Sequence, residues 1–202
     1  YLIREYQKNI DFVESIINGQ TRRVDKINKN TWKIDTQNAS EITLRYRTYC
    51  FEYSVRTNFV DDSHALLNGA PTFLYVEGFE DISCEIHIRP FETWENISTA
   101  IPARKENKWI RTARNIDELI DSPIEIGNHT SYFFEVADVA HELAIYGKSN
   151  CDTEKLLHDI QAVISEEIKI FGSHPCTHYV FIWHNTESCF AGLDNLHSSV
   201  NF

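Results

Sequence analysis

The stretch His178–Ser199 reads HYVFIWHNTESCFAGLDNLHSS, and it sets the frame for the chain because a strand-like run leads straight into a motif dominated by backbone. Tyr179, Val180, Phe181, Ile182 and Trp183 are β-branched or aromatic, in a run short enough for a strand covered on both faces, and a turn at Asn185-Thr186-Glu187-Ser188 follows. Next comes Ala191-Gly192-Leu193-Asp194-Asn195. Two small residues, an apolar one and a carboxylate suit an exposed sheet edge, whose unpaired N–H and C=O groups accept an extended peptide while the carboxylate meets a cation at the peptide's end. A tight β-turn carrying a solvated Asp-Asn pair accounts for the same five residues.

Just upstream the apolar period changes. Leu156, Leu157, Ile160, Val163, Ile164, Ile168 and Phe171 fall on one stripe of a helix, with Asp152 or Thr153 as N-cap and Gly172 with Pro175 as the stop. Before it, Gly147-Lys148-Ser149-Asn150 breaks the pattern and predicts a domain boundary, giving an antiparallel β domain over residues 1–148 and a second region over 149–202.

The first region reads as short strands between turns. Asn18-Gly19-Gln20 is a turn, and Arg22 to Ile27 with Thr31 to Asp35 forms a hairpin about Asn28-Lys29-Asn30. Glu41 to Tyr53 alternates with period two, as a half-buried antiparallel strand does. Arg56 to Val60, Thr72 to Glu77 and Cys84 to Arg89 read as further strands, the last stopping at Pro90, and Thr99-Ala100-Ile101 stops at Pro102. Asn115 to Ile120 reads as a short helix, and Ser131 to Val136 with Val139 to Tyr146 as two more strands. Regular spacing with turn signals between predicts a mainly β, antiparallel, sandwich-like domain.

Composition narrows the function. The 202 residues are 42% hydrophobic and 12% aromatic, enough for a packed core, and 19 basic against 30 acidic residues give a net charge of −11. That balance disfavours nucleic acid and anionic membranes as partners. No run reaches the roughly 18 apolar residues of a membrane span. Cys50, Cys84, Cys151, Cys176 and Cys189 show no C-x-x-C pairing, which fits reduced thiols in a cytoplasmic protein better than a disulfide framework. The sequons at Asn38, Asn96 and Asn128 are of a kind that arises often by chance.

Metal and acid–base motifs are not evident in the spacing. His141-Glu142 opens like the zinc helix H-E-x-x-H, but Ile145 stands where the second histidine belongs and the surrounding text is strand-like. His174 and His178 have helical spacing, but Pro175 follows His174. On a strand His178 and His184 would share a face about 20 Å apart, and His197 adds no common pattern. No metal ligand is predicted within the span.

Several segments together carry a resemblance: Tyr1-Leu2-Ile3-Arg4-Glu5-Tyr6, Lys29-Asn30-Thr31-Trp32, Phe51-Glu52-Tyr53-Ser54-Val55-Arg56-Thr57, Asp61-Asp62-Ser63-His64, Asn68-Gly69-Ala70, Phe73-Leu74-Tyr75-Val76-Glu77-Gly78 and Asp121-Ser122-Pro123-Ile124-Glu125-Ile126-Gly127. In this order they resemble the N-terminal domain of the glycyl aminopeptidase family, PDZ-bearing gluzincin zinc metallopeptidases. The resemblance implies an N-terminal antiparallel β domain, then the first helix and strands of a thermolysin-like catalytic domain that ends before any H-E-x-x-H. It implies zinc in the parent protein with none bound to this span alone, peptide substrates with small N-terminal residues (Gly or Ala), and the remainder of the catalytic domain and a PDZ domain as partners in cis.

It also makes Ala191, Gly192, Leu193, Asp194 and Asn195 the substrate-binding edge, in place of the family's G-G-L-E-H. Here Asp194 stands for the glutamate that binds the substrate's free amine, one methylene shorter, and Asn195 matches the aminopeptidase N pattern instead. These departures keep open a second reading, a non-catalytic peptide- or protein-binding β module that has lost its metal site. A carbohydrate-binding sandwich rests only on Trp94 and Trp109 standing exposed.

Overall fold

A computed structural model of the chain describes residues 3–187 and 190–202. Tyr1 and Leu2, at the head of the family-like text, and Ser188 and Cys189, in and after the predicted turn, lie outside the described residues. The chain forms two compact units, Tyr1–Phe51 and Glu52–Phe202.

In the first unit a 3-10 turn (Tyr6–Asn9) precedes β1 (Ile10–Ile17), β2 (Gln20–Arg23), β3 (Asp25–Asn28), β4 (Thr31–Lys33) and β5 (Thr43–Thr48). β1 is the centre of an antiparallel sheet ordered β2-β1-β5, and β3 pairs with β4. Asn18 and Gly19 both take positive φ, 50° and 75°, the backbone that a two-residue hairpin between right-twisted strands requires. β1 is not among the expected strands, since polar and apolar residues are mixed up to Val13. Its period is hidden because Ser15, only 2% exposed, takes an inward position between Val13 and Ile17. The predicted strand Glu41–Tyr53 is shorter, ending at Thr48, but its alternation holds, and Arg45 pairs with Glu14 directly across the ladder at 2.7 Å.

The second unit runs through β6 (Phe59–Val60), β7 (His64–Leu67), α1 (Gly69–Thr72), β8 (Cys84–His87), β9 (Asn96–Ser98), β10 (Ala103–Arg104), β11 (Asn107–Ala113), α2 (Ile116–Ile120), β12 (Ile124–Gly127), β13 (Thr130–Val136), β14 (Val139–Tyr146), α3 (Thr153–Phe171), β15 (His178–His184), β16 (Gly192–Asp194) and β17 (Ser198–Asn201). Its sheets are β10-β11-β8, β6-β7-β12-β9 and β13-β14-β15-β17-β16. The last is mixed: β14, β15 and β17 run parallel, and β13 and β16 close its two sides antiparallel. With 41% strand and 16% helix the chain has the expected mainly β, largely antiparallel fold.

Two apolar clusters organise this unit. Ala65, Trp94, Ile101, Ile116, Leu119, Ile124 and Ile126 form one, with Trp109 packed against it. Trp94 is therefore a core residue, and the exposed tryptophans on which a carbohydrate site would rest are not present. In the other, Val180, Ile182 and Val200 of the five-stranded sheet pack on Val55, Leu66 and Ala100. The strand expected over residues 72–77 does not form; Thr72 instead ends the short α1, which Asn68 precedes as N-cap. The interval Gly147–Asn150, expected to divide two domains at 148, lies inside the second unit and leads from β14 into α3.

α3 matches its sequence signature. The Asp152 carboxylate accepts the Lys155 N–H at 3.1 Å, and Gly172 closes the helix in the left-handed conformation, φ 85°. Of its predicted stripe Ile164 is buried, whereas Val163 and Phe171 are 57% and 79% exposed. Among the described residues no helix is long and apolar enough to cross a membrane.

Candidate functional site

β16 is an edge strand. Ala191 and Phe202 exchange both backbone hydrogen bonds (3.2 and 2.9 Å), and the Asn195 N–H donates to the Ser198 carbonyl at 2.8 Å. In an antiparallel ladder such pairs alternate with residues whose N–H and C=O point away from the partner. Ala191, Leu193 and Asn195 therefore face β17, and the backbone groups of Gly192 and Asp194 face outward from the sheet, where no strand pairs with them among the described residues.

Side chains alternate in the other dimension. Leu193 and Ala191 pack on the Val180–Ile182–Val200 cluster, while Gly192 and Asp194 lie on the opposite, exposed face. Asp194 sits directly across from Ser199. Burial raises the Tyr179 phenol's pKa, a hydrogen bond with Ser199 opposes this, and the Asp194 carboxylate adds to the rise, so these three side chains share one face.

The hairpin that presents β16 is tied down at its tip. The Leu196 N–H donates to Asp121 Oδ2 at 2.8 Å, and the Cys176 thiol donates to the Leu196 carbonyl at 3.1 Å. Asn201 stands directly across the ladder from Gly192, and a Cβ on that glycine would lie 3.1 Å from Asn201 Oδ1, so a larger residue displaces that neighbour. All five predicted site residues are thus brought to one sheet edge, and the alternative of a solvated turn fits only the residues after Asp194.

The family profile described as Peptidase M61 N-terminal domain matches residues 1–128. The chain belongs to this peptidase M61 family. A crystal structure of an aminopeptidase N family protein from Idiomarina loihiensis is similar to the M61 chain at a TM-score of 0.92 and 29% identity. The match covers 100% of this chain and 35% of that one, so the chain spans about a third of that relative's length. No curated protein matches the chain.

A second constellation in the M61 chain comes from residues that no spacing singled out. Glu125 on β12, fully buried, accepts from His64 Nδ1 (β7) at 2.8 Å on Oε1 and from His184 Nε2 (β15) at 3.0 Å on Oε2. Tyr53 Oη lies 2.7 Å from the other nitrogen of His184, and the His64 ring stacks on Tyr146 at 3.6 Å between centroids. Gly127 faces His64 across the ladder, and a Cβ there would come within 2.9 Å of His64 Cβ, so glycine makes the room for the imidazole. Burial pushes the Glu125 pKa up, but the hydrogen bonds from His184 and His64 outweigh it and hold the carboxyl below its ordinary value. The one sequence signal was a glutamate inside the otherwise apolar run Ile124–Gly127.

Three further histidines make hydrogen bonds of their own. His141 Nδ1–H donates to the Val139 carbonyl at 2.8 Å, and Cys176 N–H donates to His174 Nδ1 at 3.1 Å. Those bonds fix the tautomers, so His174 Nε2–H donates to His141 Nε2 at 3.2 Å. His178 donates to the Ala100 carbonyl at 2.7 Å.

Proposed function

We propose that the chain is the front portion of a zinc-dependent aminopeptidase that removes small N-terminal residues, glycine or alanine, from peptides, and that β16 receives the substrate as an added strand. The observation that carries this reading is the edge position of Gly192 and Asp194, whose outward backbone groups can pair with an extended peptide. The exposed Asp194 carboxylate, on the face opposite Leu193, then meets the free α-amine at the end of that peptide. Membership of a peptidase family supports the activity class, and the aminopeptidase N family name of the Idiomarina protein supports exopeptidase action.

The catalytic zinc of this reading is expected beyond the span. His141 and Glu142 lie on β14, where neighbouring side chains point to opposite faces, so they do not make the helical pair that an H-E-x-x-H site needs. The metal, the general base and a PDZ domain belong to the protein beyond this span, with residues 149–202 beginning the catalytic domain. Free thiols at Cys84, Cys151 and Cys176 fit a cytoplasmic setting.

The test is hydrolysis by the full-length protein of glycyl and alanyl amides beside their N-acetylated counterparts. Preference for the unblocked amides is the expected result. Cleavage of neither, with retained peptide binding, would assign the chain to a non-catalytic peptide-binding module, the reading that the shortened Asp194 also suits.

A further inference from the structure

We propose that His64, Glu125 and His184 form a binding site for a divalent first-row transition ion, with zinc the best match to the donor set. One ligand atom from each residue lies within 4.8 Å of the others, and all three residues are buried. Two donors at about 2.0–2.2 Å from one tetrahedral ion stand roughly 3.3–3.6 Å apart, so binding draws the ligand atoms together by no more than about 1.5 Å. Glu125 turns both oxygens inward, one toward each imidazole. A carboxylate binding through both oxygens and two imidazoles supply four donor atoms, and two nitrogens with oxygen suit zinc better than magnesium or calcium.

Charge gives the second argument. A fully buried carboxylate is costly unless a positive charge accompanies it. Among the described residues no lysine or arginine pairs with Glu125, and the hydrogen-bond partners of its two oxygens are the imidazoles of His64 and His184. A dication held among these three side chains brings a full counter-charge to the carboxylate.

The surroundings already hold the ligands in place. A histidine that binds metal through one nitrogen needs a partner for the other, and the Tyr53 hydroxyl at 2.7 Å from His184 Nδ1 provides it. On binding, both rings change tautomer: the His64 proton moves from Nδ1 to Nε2, and the His184 proton moves from Nε2 to Nδ1, where the Tyr53 oxygen accepts it. Stacking on Tyr146 fixes the His64 ring, and Phe202 stacks on His184 at 4.9 Å, so the donor atoms are pre-oriented. The lack of a histidine pair on a helix predicts no zinc on this span; residues brought together from three strands alter that expectation.

The experiment is zinc and cobalt titration of the 202-residue chain after chelator dialysis, with bound metal counted by mass spectrometry and cobalt coordination read from its visible absorption. One equivalent per chain is expected, lost in a folded Glu125→Gln variant. If Glu125→Gln does not fold, Tyr53→Phe decides, since it removes no ligand atom: affinity should fall roughly 10–100-fold. No bound metal in the unmodified chain overturns the proposal. So does metal retained in folded Glu125→Gln, or, where that variant does not fold, unchanged affinity in Tyr53→Phe.

Discussion

His184 Nε2 stands 3.0 Å from Glu125 Oε2, while His64 Nδ1 holds the other oxygen of the same carboxylate at 2.8 Å. One side chain on β12 is thereby gripped from β7 in its own sheet and from β15 in the five-stranded sheet. The sheet that carries the peptide-binding edge and the sheet that carries Glu125 share a polar fastening inside an otherwise apolar and aromatic setting.

Removing the centre of that fastening leaves two imidazoles buried without their acceptor. Glu125→Ala should therefore cost about 3–5 kcal/mol of stability, read by urea unfolding in the presence of chelator. A loss below about 1 kcal/mol would mean that the three side chains are not coupled.

Gly69 is required by space. A Cβ there would fall 2.3 Å from Ile120 Cα and 2.5 Å from the Leu119 carbonyl oxygen, backbone atoms that cannot rotate away. Gly69→Ala should destabilise by about 1–3 kcal/mol or more, since it forces α1 and α2 apart. Gly172→Ala meets no atom within 4 Å and carries only the cost of its φ of 85°, so its thermal shift should be smaller.

These contrasts show where sequence is informative. α3 was legible because Asp152 and Gly172 mark its ends by local chemistry. β16 was legible only as one of two readings of Ala191–Asn195, an exposed edge or a tight turn, because five residues are too few to carry a period. β1, β12 and β17 were not, for one reason: Ser15, Glu125, Ser198 and Ser199 occupy buried positions that a hydrophobic pattern assigns to apolar residues. The same feature hid the histidine–glutamate cluster. Its members lie 61 and 59 positions apart, and only the pairing of β7 with β12 and the stacking of β15 on them bring the side chains together.

His141 gives a pH dependence. Burial holds its imidazole below the ordinary value; the Nδ1–H bond to Val139 opposes this, and His174, which already directs an N–H at His141 Nε2, adds to the lowering. The unfolded chain then takes up a proton at about pH 6.5 that the fold refuses. This contribution is complete above that value and is lost as pH falls toward the folded pKa. Unfolding midpoints should drop between pH 7.5 and 5.5, and His141→Asn, which keeps a donor for Val139, should flatten the drop. An unchanged pH slope in that variant would contradict the assignment.

The central claim, that the β16 edge takes the amino end of a peptide, rests on Asp194 and is tested most directly by its kinetics in the full-length protein. A charge-assisted hydrogen bond of about 1.5–3 kcal/mol corresponds to roughly 10- to 150-fold in kcat/KM. Asp194→Asn should lower kcat/KM for glycyl and alanyl amides by that factor and leave N-acylated substrates within about twofold, while Asp194→Glu, which restores the longer reach of the related family, should retain activity. Equal losses on blocked and unblocked substrates, or no loss on either, would contradict the account.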